Sequence, residues 1–157
     1  MNELERRFIA ARRQAIALEY AHLNPRQREG VLTTEGALLL LAGAGSGKTT
    51  VLVNRIANLV RFGSGYNSDY VPNLTAAQEE KLRLCADGRI PLDGEIVGLC
   101  AVDPCPAWRM LAITFTNKAA GELKERLSRM LGSEGEEVVA GTFHSFCARI
   151  LRRDGER

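Results

Sequence analysis

The sequence predicts an α/β fold, a parallel sheet with helices on both faces. Short apolar runs at 37–41, 110–115 and 138–140 alternate with longer segments whose apolar residues recur every three or four positions. The runs show little polar alternation, as strands buried on both faces require. The first run passes through a glycine-rich turn directly into a helical pattern, the order expected at the start of a right-handed crossover.

The elements follow in chain order. Residues 3–21 read as an amphipathic helix with an apolar stripe of Leu4, Phe8, Ala11, Ala15 and Leu18. Its arginines Arg6, Arg7, Arg12 and Arg13 are expected on a solvated face. Asn24 and Pro25 suit the N-cap and first position of a second, short helix. Gly36 ends the link to the strand at 37–41, and Val51, Ile56, Leu59 and Val60 mark a helix over 48–62.

Between 63 and 109 the texture changes to clustered Gly, Asn, Asp and Pro, which reads as an insertion. Within it, Thr75 and Gln78 form a capping box for a short helix ending near Gly88. The apolar run 95–103 ends in Asp103 and superficially resembles a metal-anchoring strand. Pro104 stands where a catalytic Glu would be wanted, which argues against that reading. A strand at 110–115, a helix over 118–131 stopped by Gly132, a strand at 138–140 and a helix over 143–153 complete the chain.

The 157 residues suffice for one domain with a real core. The 21 Lys and Arg against 19 Asp and Glu leave a net charge of +2, which argues neither for nor against nucleic acid. Any such contact must come from local patches and aromatic platforms. No apolar run reaches the length of a membrane span, and the N-terminus lacks a signal-peptide pattern, so no membrane partner is expected. Cys85, Cys100, Cys105 and Cys147 lack the close pairing of a zinc ribbon, and read as reduced thiols of a cytoplasmic protein.

Residues Ala42, Gly43, Ala44, Gly45, Ser46, Gly47, Lys48 and Thr49 have phosphate-loop spacing, with Ala at the usual first Gly. Glycines let successive backbone amides turn inward around phosphate oxygens. The helix start adds unpaired amides and a favourable dipole. Lys48 is expected to reach the β- and γ-phosphates of a nucleotide such as ATP, and the Thr49 hydroxyl to ligate Mg²⁺.

Further segments narrow the choice among phosphate-loop proteins. Leu23-Asn24-Pro25-Arg26-Gln27-Arg28-Glu29 resembles the Q motif of the UvrD/Rep/PcrA group of superfamily-one helicases. The run Ile113-Thr114-Phe115-Thr116-Asn117-Lys118-Ala119-Ala120 resembles that group's motif Ia. Thr142-Phe143-His144-Ser145-Phe146 resembles its next DNA-contacting motif. The resemblance spans nearly the whole chain in the family's order. It implies a RecA-like phosphate-loop NTPase fold, incomplete at the C-terminal end, in a motor that moves 3′ to 5′ on single-stranded DNA using ATP. DNA repair is among the roles it allows.

By this resemblance Gln27 reads adenine, and residues from Ala42 to Thr50 hold the triphosphate and Mg²⁺. Phe115, Thr116, Asn117, Thr142, Phe143 and His144 touch the DNA strand. The domain is then expected as an extra helix at 1–22, a Q motif and phosphate loop at 23–62, the insertion at 63–109 and DNA-contacting motifs at 110–157. Other readings stay open on pattern alone. Gln27 pairs with Asn24 as a cap, Phe115 closes a strand as core, Thr142 caps a helix, Lys118 is solvated and His144 is packed.

Departures from the family pattern matter as well. Thr50 stands where these helicases usually have Arg. No Asp-Glu pair follows an apolar strand before Arg157, so Mg²⁺ lacks its second anchor and the attacking water its base. The downstream motor domains, with their arginines, are expected elsewhere in a parent chain, so this chain alone is not expected to turn over. The alternatives are another phosphate-loop enzyme such as a kinase, or a non-enzymatic nucleotide- or DNA-binding module.

Overall fold

The computed structural model describes residues 3–43 and 45–155, in two compact units, Met1–Cys105 and Pro106–Arg157. The first unit holds helices α1 (Glu3–Glu19), α2 (Pro25–Leu32), α3 (Lys48–Arg61), α4 (Ala76–Ala86) and α5 (Gly94–Cys100). The second holds a 3₁₀ turn (Ala107–Arg109), strand β1 (Leu111–Thr114), helices α6 (Asn117–Leu131) and α7 (Ser133–Glu137), strand β2 (Val139–Thr142) and helix α8 (Phe143–Asp154). No helix among the described residues is long and apolar enough to cross a membrane.

In the first unit α1 packs along α4, and both meet α5. The core gathers Phe8, Ile9 and Ile16 of α1, and Tyr20 just after it, with Val31, Val51, Phe62, Leu82, Ile96 and Cys100. The stripe of α1 is rotated from the expected one: Leu4 and Leu18 are exposed, and Arg12 is fully buried. Arg12 belongs to the core side because its guanidinium donates to the Tyr70 carbonyl at 2.6 Å and to the Ser68 carbonyl. A buried cation is tolerated only with such partners. Burial nevertheless lowers its pKa.

Both capping boxes read from the sequence are formed. The Asn24 side chain accepts from the Gln27 amide while the Gln27 side chain accepts from the Asn24 amide, and Thr75 with Gln78 repeats the arrangement. The run from residue 95 is helical rather than extended, because Asp93 caps it by accepting from the Ile96 amide at 2.9 Å. The segment between α3 and the second unit folds back on its start. Gly63 bridges Val102, and the Ser64 amide donates to the Val102 carbonyl at 2.8 Å. A Cβ on Gly63 would lie 2.2 Å from that carbonyl, and φ is +57°, so glycine is required there.

The strand expected at 37–41 is not formed. No ladder among the described residues includes it, and Leu39 and Leu41 are 79% and 87% exposed. Leu38 and Leu40 are half as exposed, so the segment keeps the period-2 alternation of an extended chain lying against α2 and α3 on one side. Burial on both faces needs flanking strands, and none is paired with it here.

In the second unit β1 and β2 pair in parallel, Leu111 opposite Val139 and Thr114 opposite Thr142. Helix α6 buries Ala120, Leu123 and Leu127 and packs on both strands, while α8 packs on β2. Gly132, at φ +60°, stops α6 as its position predicts. The short α7 has no apolar period to announce it. It fits because Gly135 lies so close to α6 that a Cβ there would meet the Leu127 carbonyl at 2.3 Å.

Candidate functional site

In the first unit the glycine-rich loop leads into α3. Gly45 and Gly47 take φ of +75° and +84°, which L side chains rarely adopt. Helices α2, α4, α5, α6 and α8 each begin with a side chain that accepts from the first turn. Helix α3 instead begins on Gly47 with no side-chain cap. Its first-turn amides are therefore available to an anion, at the positive end of the helix dipole. The Lys48 ammonium folds back over the loop, donating to the Ala42 and Gly43 carbonyls at 2.7 Å each. Ser46 closes the turn by donating its hydroxyl to the Gly43 carbonyl at 2.7 Å. Lys48 and Thr49 are exposed, Thr50 is half-buried, and Ala44 lies outside the described residues.

Gln27 stands directly beside this loop. Its Oε1 accepts from the Asn24 amide at 3.2 Å, and its Nε2 donates to the Ser46 carbonyl at 3.1 Å. The capping role and the reach to the glycine-rich loop thus occur in one side chain. A Cβ on Gly47 would lie 2.6 Å from that Nε2, so the glycine also makes room for the amide. Asn24, Arg26, Gln27, Gly30, Leu38 to Ala42, Ser46 and Lys48 line a cavity of about 490 Å³. Its volume suits a small ligand. A larger cavity of about 600 Å³, by Thr33, Tyr66 and Asn67, contains no loop residue.

Groups set for an anion and for Mg²⁺ fit the residues present. The loop offers an uncapped helix start, the ammonium of the exposed Lys48 and the hydroxyl of the exposed Thr49. The cavity of about 490 Å³ adjoins them.

In the second unit the parallel register puts the ends of β1 and β2 side by side. Phe115, Thr116 and Asn117 therefore leave the same sheet edge as Phe143 and His144. Phe115 is 96% exposed, which removes the core reading; a side chain that closed a buried strand would be covered. Phe143 and His144 are also exposed, with their rings edge to face at 6.3 Å. The two threonines differ from the residues around them. Thr116 accepts from the Ala119 amide at 3.1 Å, and Thr142, buried, accepts from the Ser145 amide at 3.2 Å. Both hydroxyls are helix caps, so what they present outward is the start of α6 and α8.

Several side chains near the first site escaped the sequence reading. Arg55 donates to the Gly30 carbonyl at 2.9 Å and to the Thr33 carbonyl, and Asn67 donates to the Leu32 carbonyl at 2.9 Å. Burial lowers the Arg55 pKa. Nothing in the spacing of 55 or 67 ties them to the end of α2, since the contact is purely tertiary.

The chain is similar to known proteins. Residues 23–79 and 92–157 match the family described as UvrD/REP helicase N-terminal domain. The ATP-dependent DNA helicase PcrA of Staphylococcus aureus (strain Mu50) is 42% identical over 136 residues, 87% of this chain and 13% of the relative. PcrA of Bacillus subtilis (strain 168) is 42% identical over 135 residues, covering 86% of this chain and 13% of the relative. PcrA of Staphylococcus epidermidis is 40% identical over 136 residues. The chain thus spans about 13% of the length of the curated relatives it matches. With a family match that covers most of its residues and takes in both sites, the chain belongs to the UvrD/REP helicase N-terminal domain family.

Proposed function

We propose that this chain is the nucleotide-loop portion of an ATP-dependent DNA helicase that moves 3′ to 5′ along single-stranded DNA. The observation that carries the reading is the convergence at one glycine loop. Gln27 reaches it from α2, Lys48 lies across its carbonyls, and the uncapped start of α3 faces it. The relatives' description as ATP-dependent DNA helicases supports the choice of nucleotide and partner.

Each residue then has a task. The amides of the loop and of the first turn of α3 hold phosphate oxygens, and Lys48 leaves the Ala42 and Gly43 carbonyls for the β- and γ-phosphates. Thr49 holds Mg²⁺, which when bound neutralises charge on the triphosphate. Gln27 faces the base, accepting from the N6 amine and donating to N7 of adenine. At the second site Phe115, Phe143 and His144 give bases a surface to stack on. Asn117 and the amides at the starts of α6 and α8 bind phosphates without reading sequence.

We read the segment 63–109 as an insertion in this motor fold. Its start meets its later part at the Gly63–Val102 bridge, and residues 80–91 within it fall outside the family match. A cytoplasmic role in DNA metabolism, repair included, follows from the same reading.

Turnover is a separate matter. Within these residues no Asp-Glu pair follows β2 to activate water, and Arg26, the arginine that lines the cavity beside the loop, is paired with Glu29 at 3.1 Å. This chain by itself is expected to bind ATP with Mg²⁺ yet hydrolyse it at close to the uncatalysed rate, with or without an oligonucleotide. Phosphate release in single-turnover assays checks this. A rate of roughly 1 s⁻¹ or more, typical of enzymes, would refute the assignment of the missing groups. Tight ATP binding with no affinity for single strands at low salt would instead favour a kinase-like phosphate-loop protein.

A further inference from the structure

The far end of α2 is held by side chains from two different segments. A helix leaves its last carbonyls without intrahelical partners. Here the Gly30 and Thr33 carbonyls accept from Arg55 of α3, and the Leu32 carbonyl accepts from Asn67, which lies just after α3. Asn67 also donates to the Thr34 hydroxyl at 3.3 Å. Arg55 stands on α3, the helix that begins at the glycine loop, and Asn58 of the same helix donates to the Val31 carbonyl at 3.5 Å. Asn67 lies outside that helix.

The segment carrying Asn67 is fixed from its other side by α1. Arg13 donates to the Tyr66 carbonyl at 3.0 Å and pairs with Asp69 at 3.2 Å. The buried Arg12 donates to the Ser68 and Tyr70 carbonyls. Four residues of one short turn thus receive bonds from two arginines of α1, a helix lying before the first residue of the family match. Asn67 transmits that hold to the C-terminal end of α2, and α2 is only eight residues long, about 12 Å at 1.5 Å per residue. At its other end sits Gln27, whose amide touches the Ser46 carbonyl.

We infer that Asn67 is a positioning residue for the base end of the nucleotide site. It fixes the axis of α2, and through it the Gln27 amide, against the turn that Arg12 and Arg13 hold. The phosphate end is built by the loop and by α3 and does not depend on it. The inference rests on the proposed reading of Gln27, and it separates the two halves of the site by their support. The triphosphate half belongs to α3, and the base half is held by α3 through Arg55 and by α1 through Asn67.

The test uses this chain and three probes with Mg²⁺: ATP, GTP and inorganic tripolyphosphate, their affinities measured by calorimetry. Asn67→Asp keeps the shape but replaces the donor by an acceptor facing the Leu32 carbonyl. It is expected to weaken ATP binding three- to tenfold and to shrink the ATP over GTP preference, while tripolyphosphate binds as to the parent. Asn67→Gln, which keeps a donor, is expected to retain the preference. Gln27→Glu still caps α2 but cannot donate to N7, and it should lose the ATP over GTP preference as Asn67→Asp does. Should Asn67→Asp unfold the chain by circular dichroism, Asn67→Ala, free of the added charge, takes its place with the same expected pattern.

A parent that prefers ATP, joined with an Asn67→Asp or Asn67→Ala variant that prefers it equally, overturns the inference and leaves the function standing. Equal losses for all three probes overturn it too, since they mean general destabilisation of the unit. A parent indifferent between ATP and GTP removes the Gln27 reading itself, and the inference with it.

Discussion

Replacing Lys48 by Ala is expected to weaken binding of ATP with Mg²⁺ by roughly 10- to 100-fold, the scale of a lost hydrogen bond to a charged group at 1.5–3 kcal/mol. The fold should not suffer. The side chain is exposed, and its two bonds go to carbonyls of the loop, not to the core. Those bonds also explain why the loss is not larger. In the free chain the ammonium is already partnered, and binding exchanges carbonyls for phosphate oxygens rather than creating contacts from nothing. Lys48→Arg should not rescue fully, because a planar fork does not fit where a point charge with three donors sits. Calorimetric titration of parent and variant decides the matter, and equal affinities would remove the phosphate-loop assignment.

Loss of the Phe115 ring is the second large effect. At 96% exposure the ring contributes almost nothing to folding, so Phe115→Ala should leave the unfolding transition where it was. Stacking on a base is worth about 1–3 kcal/mol, and the variant should bind a short single-stranded oligonucleotide roughly 5- to 100-fold more weakly at low salt. Thr142→Ala makes the contrasting case at the same sheet edge. Its hydroxyl caps α8 through the Ser145 amide, so it should lose about 1 kcal/mol of stability with a smaller change in DNA affinity. Fluorescence anisotropy across a salt series measures both, and affinity should fall steeply with salt as phosphate contacts require. Unchanged affinity for Phe115→Ala would return this edge to a purely structural role.

What could be read in advance was what local rules govern. The caps at Asn24, Thr75 and Thr142, the stop at Gly132 and the strands around 111–114 and 139–142 each depend on residues within one turn or one ladder. The glycine loop was legible because its spacing is itself the chemistry. The failures came where distant groups decide. Arg12 looked solvated on a helical wheel, and it is buried because the carbonyls of Ser68 and Tyr70 come to it from more than fifty positions away. Leu38 to Leu41 read as a strand buried on both faces, a state that requires neighbours which the pattern of one segment cannot specify.

That last segment has a consequence for handling the protein. Residues 37–41 are five consecutive apolar residues without charge or proline, extended and with no ladder partner, and two of their leucines face outward. Unpaired backbone donors and acceptors beside exposed leucines form a template on which another extended chain can add. In this chain by itself the approach to the nucleotide loop is therefore also its aggregation-prone edge, and self-association should rise with concentration. A sedimentation mass that climbs on concentrating the sample would be its signature.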